Sequence, residues 1–172
     1  MKKLNYTFMT IMIMMIFMTQ NIFAMPMNPI DYTSVNEVSE LLPQDIKKNR
    51  VVERAKARGD FFISADLTIL DNGGGNIGAF AIALTRYPVD EAYITVYLDK
   101  WDAANQKWHQ VNSYEAEYLA TDYPDGLTTP KVDVTFTNNE KGCYYRLRSV
   151  FAVMYQGKLE GFSPTTDGIL VD

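Results

Sequence analysis

Tyr93-Ile94-Thr95-Val96-Tyr97-Leu98-Asp99-Lys100 is the stretch that decides the fold class. Ile94, Val96 and Leu98 share one parity, and Tyr93, Thr95 and Tyr97 share the other. Successive side chains of a strand point to opposite faces, so a period of two marks a half-buried β-strand. The same pattern recurs downstream. Val132, Val134 and Phe136 alternate with Asp133, Thr135 and Thr137. Tyr145, Leu147 and Phe151 share a parity opposite to that of Tyr144, Arg146 and Arg148. Upstream, Phe61 to Leu70 is rich in aromatic and branched residues, and Ile77 to Thr85 is small and apolar. Turn formers separate these runs: Asp71 to Asn76, Pro88 to Glu91, Asp102 to Gln106, Asn138 to Gly142 and Gln156-Gly157.

About seven short strands at regular spacing predict an all-β fold, an antiparallel β-sandwich of immunoglobulin or fibronectin type III style. Gly142 followed by Tyr145 at the head of an alternating strand resembles the tyrosine corner of such sandwiches. A small β-barrel is the rival architecture. No amphipathic helix of useful length follows Gly59, which argues against α/β folds.

Ahead of the strands the text changes twice. Lys2 and Lys3 precede an apolar run from Phe8 to Met18, and Ala24 is a small residue at its exit. That is the form of a secretory signal peptide over residues 1–24, with cleavage expected after Ala24. The run is shorter than the roughly 20 apolar residues a membrane span needs. Six of the nine Met lie in this segment, so its removal leaves an ordinary soluble composition without a stable membrane anchor. Residues 25–58 read as a basic arm, partly helical or mobile. Ser34 and Glu37 have capping-box spacing ahead of Val38, Leu41 and Leu42, and a second helix is expected from Ile46 to Ala57. Residues 43–58 carry six basic and two acidic residues, whereas residues 59–172, the expected sandwich domain, carry eight and sixteen. A secreted, acidic, monomeric product is expected, with no electrostatic footprint for nucleic acid.

Several motifs invite chemistry and have plainer readings beside it. Gly73-Gly74-Gly75-Asn76-Ile77-Gly78 contains a GxGxxG pattern, but a dinucleotide site needs a helix after it, and Ala79 to Thr85 reads as a strand. Arg58-Gly59-Asp60 is the integrin tripeptide, placed at a strand entry and not at a hairpin tip. His109 is the only histidine, and no nucleophile elbow accompanies it. A zinc site wants several His or Cys, so neither a metal nor another cofactor is expected. Cys143, the only cysteine, has no internal disulfide partner; it is either packed in a strand or open to pairing between chains. Glu115 with Glu117, Asp122 with Asp125, and Asp90 with Glu91 are carboxylate pairs of the kind a glycosidase uses, or simply solvated acids.

The candidate ligand surface is aromatic and basic. In a sandwich of this order the Tyr93–Lys100 strand lies beside the Cys143–Tyr155 strand. Their outward parities bring Tyr93 and Tyr97 toward Tyr144, Arg146 and Arg148. Aromatic faces stack on sugars or peptides, and Arg donates a planar fork to anions. Cross-strand pairing that only stabilises the sheet is the plainer reading.

From Ala57 to Asp172 the chain resembles a family of small secreted Gram-positive (Firmicutes) proteins known only as a domain of unknown function. The resemblance rests on Ala57 to Phe61, Ile94 to Leu98, Trp108, Lys141 to Arg148, Gly157 with Glu160, and Thr166-Asp167-Gly168-Ile169. The Gly-x-Tyr-Tyr-Arg-x-Arg strand is its most specific piece. The family pattern has a His shortly after that strand where this chain reads Val150-Phe151-Ala152, and a Gly-Thr-Thr-like stretch where it reads Ile82-Ala83-Leu84-Thr85. The resemblance implies secretion and strand order, and no mechanism.

Three functions are therefore expected, in this order. The first is a non-enzymatic binding module for an extracellular protein or glycan. The second is a carboxylate-dependent hydrolase of glycans. The third is a structural protein whose basic arm grips anionic wall polymer or docks on its own acidic domain.

Overall fold

The computed structural model of the chain describes residues 27–55 and 61–172. The signal-peptide segment, its cleavage point and Arg58-Gly59-Asp60 lie outside the described residues. Alternating runs become strands and turn formers become the connections. In chain order the strands are β1 (Lys48–Arg54), β2 (Phe62–Asp71), β3 (Ile77–Thr85), β4 (Glu91–Asp102) and β5 (Lys107–Leu119). Then come β6 (Lys131–Phe136), β7 (Cys143–Tyr155), β8 (Lys158–Phe162) and β9 (Ile169–Val171). One sheet has the order β1-β2-β3-β6 and the other β5-β4-β7-β8, with β9 also paired to β7. Every strand pairing is antiparallel. The sheets remain separate, so the fold is an all-β sandwich and not a barrel.

The inward parities build the core. Leu67 and Ile69 of β2, Ile77 and Ala79 of β3, Ile94, Val96 and Leu98 of β4, and Leu147 and Phe151 of β7 are fully buried together. Alanines at positions 79, 81 and 83 keep the inner face of β3 shallow. Gly73, Gly74 and Gly75 all have positive φ in the β2–β3 turn, so the GxGxxG pattern is a hairpin turn. At Gly75 a Cβ would also lie 2.4 Å from the Asn139 carbonyl oxygen. The Tyr145 hydroxyl donates to the Glu140 carbonyl, 3.0 Å away and five residues upstream, which ties the β6–β7 corner to the core.

The arm departs from expectation. Its described residues hold no α-helix: a 3-10 turn covers Pro29–Asp31, and Lys48–Arg54 is a strand. The capping contact between Ser34 and Glu37 does form, with the Ser34 amide donating to Glu37 Oε1 at 3.0 Å. It closes a single turn, in which the Glu37 amide donates to the Ser34 carbonyl. A helix needs the carbonyls of Val35 and Glu37 for its next turn, and Arg146 takes both. Residues 48–54 fail to be helical because the open edge of β2 offers seven antiparallel partners, from Lys48↔Leu70 to Arg54↔Ser64. Tertiary pairing overrides local propensity there. Among the described residues nine strands thus stand where about seven are expected, and the sandwich takes in part of the segment assigned to the arm. The described residues of the arm are also tied to the sandwich, Leu42 donating to the Gly168 carbonyl and Glu40 accepting from the Gly168 amide.

Candidate functional site

Register places the expected surface residues on the outer face of the second sheet. Tyr97 of β4 lies opposite Arg148 of β7, and Asp99 lies opposite Arg146. Asp99 is the residue the sequence reading missed, and it is the hub. Arg146 Nε donates to Asp99 Oδ2 at 3.1 Å. Arg148 grips the same carboxylate with two donors, Nε to Oδ2 at 2.6 Å and Nη2 to Oδ1 at 3.0 Å. The Arg146 guanidinium lies 4.5 Å from the Trp108 ring centroid, and that of Arg148 lies 4.9 Å from the Tyr97 centroid. The parity of Asp99, shared with Tyr93 and Tyr97, was the available signal.

The cluster is not open to solvent. Asp99 and Arg146 are 0% exposed and Arg148 is 2%. Residues 33–42 cross the face as a strap. Arg146 Nη1 donates to the Glu37 carbonyl at 2.6 Å and to Ser39 Oγ at 2.8 Å, and Nη2 donates to the Val35 carbonyl at 2.9 Å. Arg148 reaches Thr33 Oγ1 at 3.2 Å and Gln110 Oε1 at 3.2 Å. Beyond the cluster the strap pairs with the segment before β9. The Leu42 amide donates to the Gly168 carbonyl, and the Gly168 amide to the Glu40 carbonyl. Ser39 Oγ donates to the Thr166 carbonyl at 2.8 Å.

Two guanidiniums against one carboxylate leave a buried positive charge. Glu37 offsets it from the strap. Its carboxylate accepts from Thr33 Oγ1 at 2.9 Å and from Thr165 Oγ1. Partial burial works against its charged form. The hydrogen bonds from Thr165, Ser34 and Thr33 and the nearby Arg148 charge outweigh that, and hold its pKa below the ordinary value. Burial likewise pulls the Arg146 pKa down, against the opposing pull of Asp99.

Of the five candidate residues, Tyr97, Arg146 and Arg148 form one cluster. Tyr93 lies outside it and donates to Glu91 Oε2 at 2.6 Å. Its burial, together with Glu91, raises its pKa. Tyr144 sits at the other end, half-buried, donating to the Leu42 carbonyl at 3.0 Å. The strap thus occupies the face that outward parity marks for a ligand.

The outer face of the first sheet is different. Phe80 lies between Thr68 and Asp133, and Ile82 between Asp66 and Lys131. Ile82 is 36% exposed and Leu84 42%, beside half-buried Phe80, Leu70 and Val52. Exposed Lys48, Arg50 and Arg54 of β1 line one margin. Arg50 pairs with Asp66, its Nε 2.9 Å from both carboxylate oxygens. A shallow groove of about 380 Å³ runs between β1 and β3, walled by Leu70, Phe80 and Ile82 with Lys48 and Arg50 at its rim.

The remaining chemistry is dispersed. His109 Nε2 lies 3.3 Å from Asp102 Oδ2 at the β4–β5 hairpin. The Asp102 carboxyl is held down to about 2, first by the Asn105 side chain and then by backbone amides. Free, half-buried Cys143 lines a shallow groove together with Asp102 and His109. Glu115 and Glu117 are exposed on edge strand β5, and Asp122 and Asp125 are exposed after it. Among the described residues no group of three or more His, Cys, Asp or Glu is placed to hold a metal. Among them, too, no helix is long and apolar enough to cross a membrane. Neither a protein-family model nor a curated protein matches this chain.

Proposed function

We propose that the chain is a secreted, non-enzymatic binding module acting at the cell envelope or outside the cell, and that it binds through the outer face of its first sheet. One observation carries this. The exposed apolar residues of that face lie beside a basic margin, while the aromatic–Arg face is filled by the chain's own strap. Exposed contiguous apolar surface rimmed by polar groups is characteristic of interaction sites. The signal-like residues 1–24 and the resemblance to small secreted Gram-positive proteins support export. The strand order β2-β3-β6 facing β5-β4-β7-β8 supports a fibronectin type III kind of sandwich, to which β1 adds an edge strand.

The ligand class that fits is a protein segment with aliphatic side chains and carboxylates. Leu70, Ile82 and neighbouring Leu84 outnumber the single aromatic Phe80, which suits an apolar side chain better than a sugar ring with its hydroxyls, and exposed Lys48 and Arg54 favour an anionic neighbour. Lys47 lies 2.6 Å from an Asp172 carboxylate oxygen, and Arg50 is paired with Asp66. These ion pairs support reading the arm as part of the fold rather than as a grip on wall polymer.

A binding screen against extracellular-protein and glycan arrays tests the proposal. Protein ligands are expected, with affinity falling about tenfold or more in an Ile82→Ser/Leu84→Ser double variant. Glycan-only binding, or protein binding indifferent to that variant, rejects the surface.

A further inference from the structure

We infer that the free edge of β5 between Asn112 and Leu119 is a strand-addition site for an extended basic segment of a protein partner. This site is separate from the face proposed above. β5 is hydrogen-bonded to β4 along its length, and among the described strands none pairs with its other edge. Such an edge presents unpaired N–H and C=O groups at alternate residues. From His109 to Glu115 seven consecutive residues are exposed, so both faces of the strand are open as well as its edge. Neighbouring β4 is buried from Ala92 to Leu98. Val111 and Tyr114 are about half exposed on this ribbon.

The usable length and the chemistry of the occupant follow from the register. A bulge after Leu98 leaves Val111 as an extra residue and confines regular geometry to residues 112–119. There, Ser113, Glu115 and Glu117 lie beside Tyr97, Thr95 and Tyr93 on the outer face, and Asn112, Tyr114 and Ala116 lie on the other. Residues 108–130 contain four acids and no Lys or Arg. Opposite charges on cross-strand neighbours stabilise pairing, and like charges oppose it. An incoming strand with Lys or Arg at alternate positions therefore meets Glu115 and Glu117, and its intervening aliphatic residues meet Tyr114 and Ala116. A second copy pairing antiparallel about the same segment brings the Glu115 and Glu117 of both strands together. The chain's own basic stretch is committed to β1. Backbone hydrogen bonds would supply affinity, and the alternating charges specificity.

The test uses the full chain and a capped Lys-Val-Lys-Val-Lys-Val-Lys peptide, read by amide hydrogen exchange and fluorescence anisotropy. Saturation is expected to slow exchange of the outward amides of residues 112–119 about tenfold or more. A Glu115→Lys/Glu117→Lys variant is expected to lose about tenfold in affinity and to gain affinity for the matching Glu-Val peptide. Both glutamates are exposed, and an unchanged unfolding transition checks the fold; if it shifts, Glu115→Gln/Glu117→Gln replaces the reversal and only the loss is read. No saturable binding overturns the inference, as does protection elsewhere or indifference to the glutamates. Concentration-dependent self-association that protects the same amides also overturns it, in favour of a second copy. The Ile82→Ser/Leu84→Ser variant retains this binding, which separates the two sites.

Discussion

The two outer faces of the sandwich invert the usual rule of burial. On the second sheet the outward parity carries charged residues, and Asp99, Arg146 and Arg148 are buried. On the first sheet the outward parity carries Ile82 and Leu84, and they are exposed. Strand alternation says which residues share a face; it does not say which face meets water. A strap of ten residues makes the difference. It supplies two carbonyls and a hydroxyl to Arg146, a hydroxyl to Arg148 and a nearby carboxylate, and among the described residues no segment does the same for the apolar face. Polar surface has been made into a second, hydrogen-bonded core, and apolar Ile82 and Leu84 stay exposed.

The comparison can be broken most sharply at its hub. Asp99→Ala leaves Arg146 and Arg148 buried without their shared carboxylate. Removing one partner of a buried ion pair costs about 3–5 kcal/mol, to be seen in urea unfolding. A loss under about 1 kcal/mol would show that the cluster is solvated. Gly168→Ala comes next. A Cβ there meets the Trp108 ring at 2.7 Å and Leu41 at 3.2 Å, so strap and indole must separate. Overpacking of this kind costs about 1–3 kcal/mol, and hydrogen exchange should rise at the Leu42 amide. An unchanged Tm would mean that the strap yields freely.

Glu37 gives a smaller, pH-dependent effect. Its pKa is lower in the folded chain than in the unfolded one, so its contribution is full above the unfolded value. It fades as pH falls through the lower, folded value. Wild-type and Glu37→Gln stabilities should differ by less than about 1 kcal/mol at neutral pH and converge in acid. A gap that widens in acid would contradict the assigned direction. The smallest stability effect is expected on the other face. Ile82→Ser should shift unfolding by less than about 0.5 kcal/mol while weakening ligand binding, the reverse of Asp99→Ala. A large destabilisation would place Ile82 in the core and remove the contrast between the faces.

Much of this fold was legible. The alternation of β4, β6 and β7, the turn at Gly73 to Gly75 and the place of Tyr145 all follow from local spacing. The cluster was half legible: parity put Tyr97 beside Arg146 and Arg148, but nothing in the local pattern singled out Asp99 as their shared partner. The strap was not legible, because Ser34 and Glu37 satisfy the local requirements of a helix start. Arg146 is 109 residues away from the carbonyl it removes from that helix.

The sequence by itself determined the strands, their inward residues and the all-β class, because side-chain parity is a property of a few consecutive peptide units. Only the tertiary structure decided which outer face is covered, where the strap pairs, and that Arg146 holds the chain's own backbone. Those outcomes depend on contacts between segments more than 100 residues apart, whose free energies no local pattern encodes.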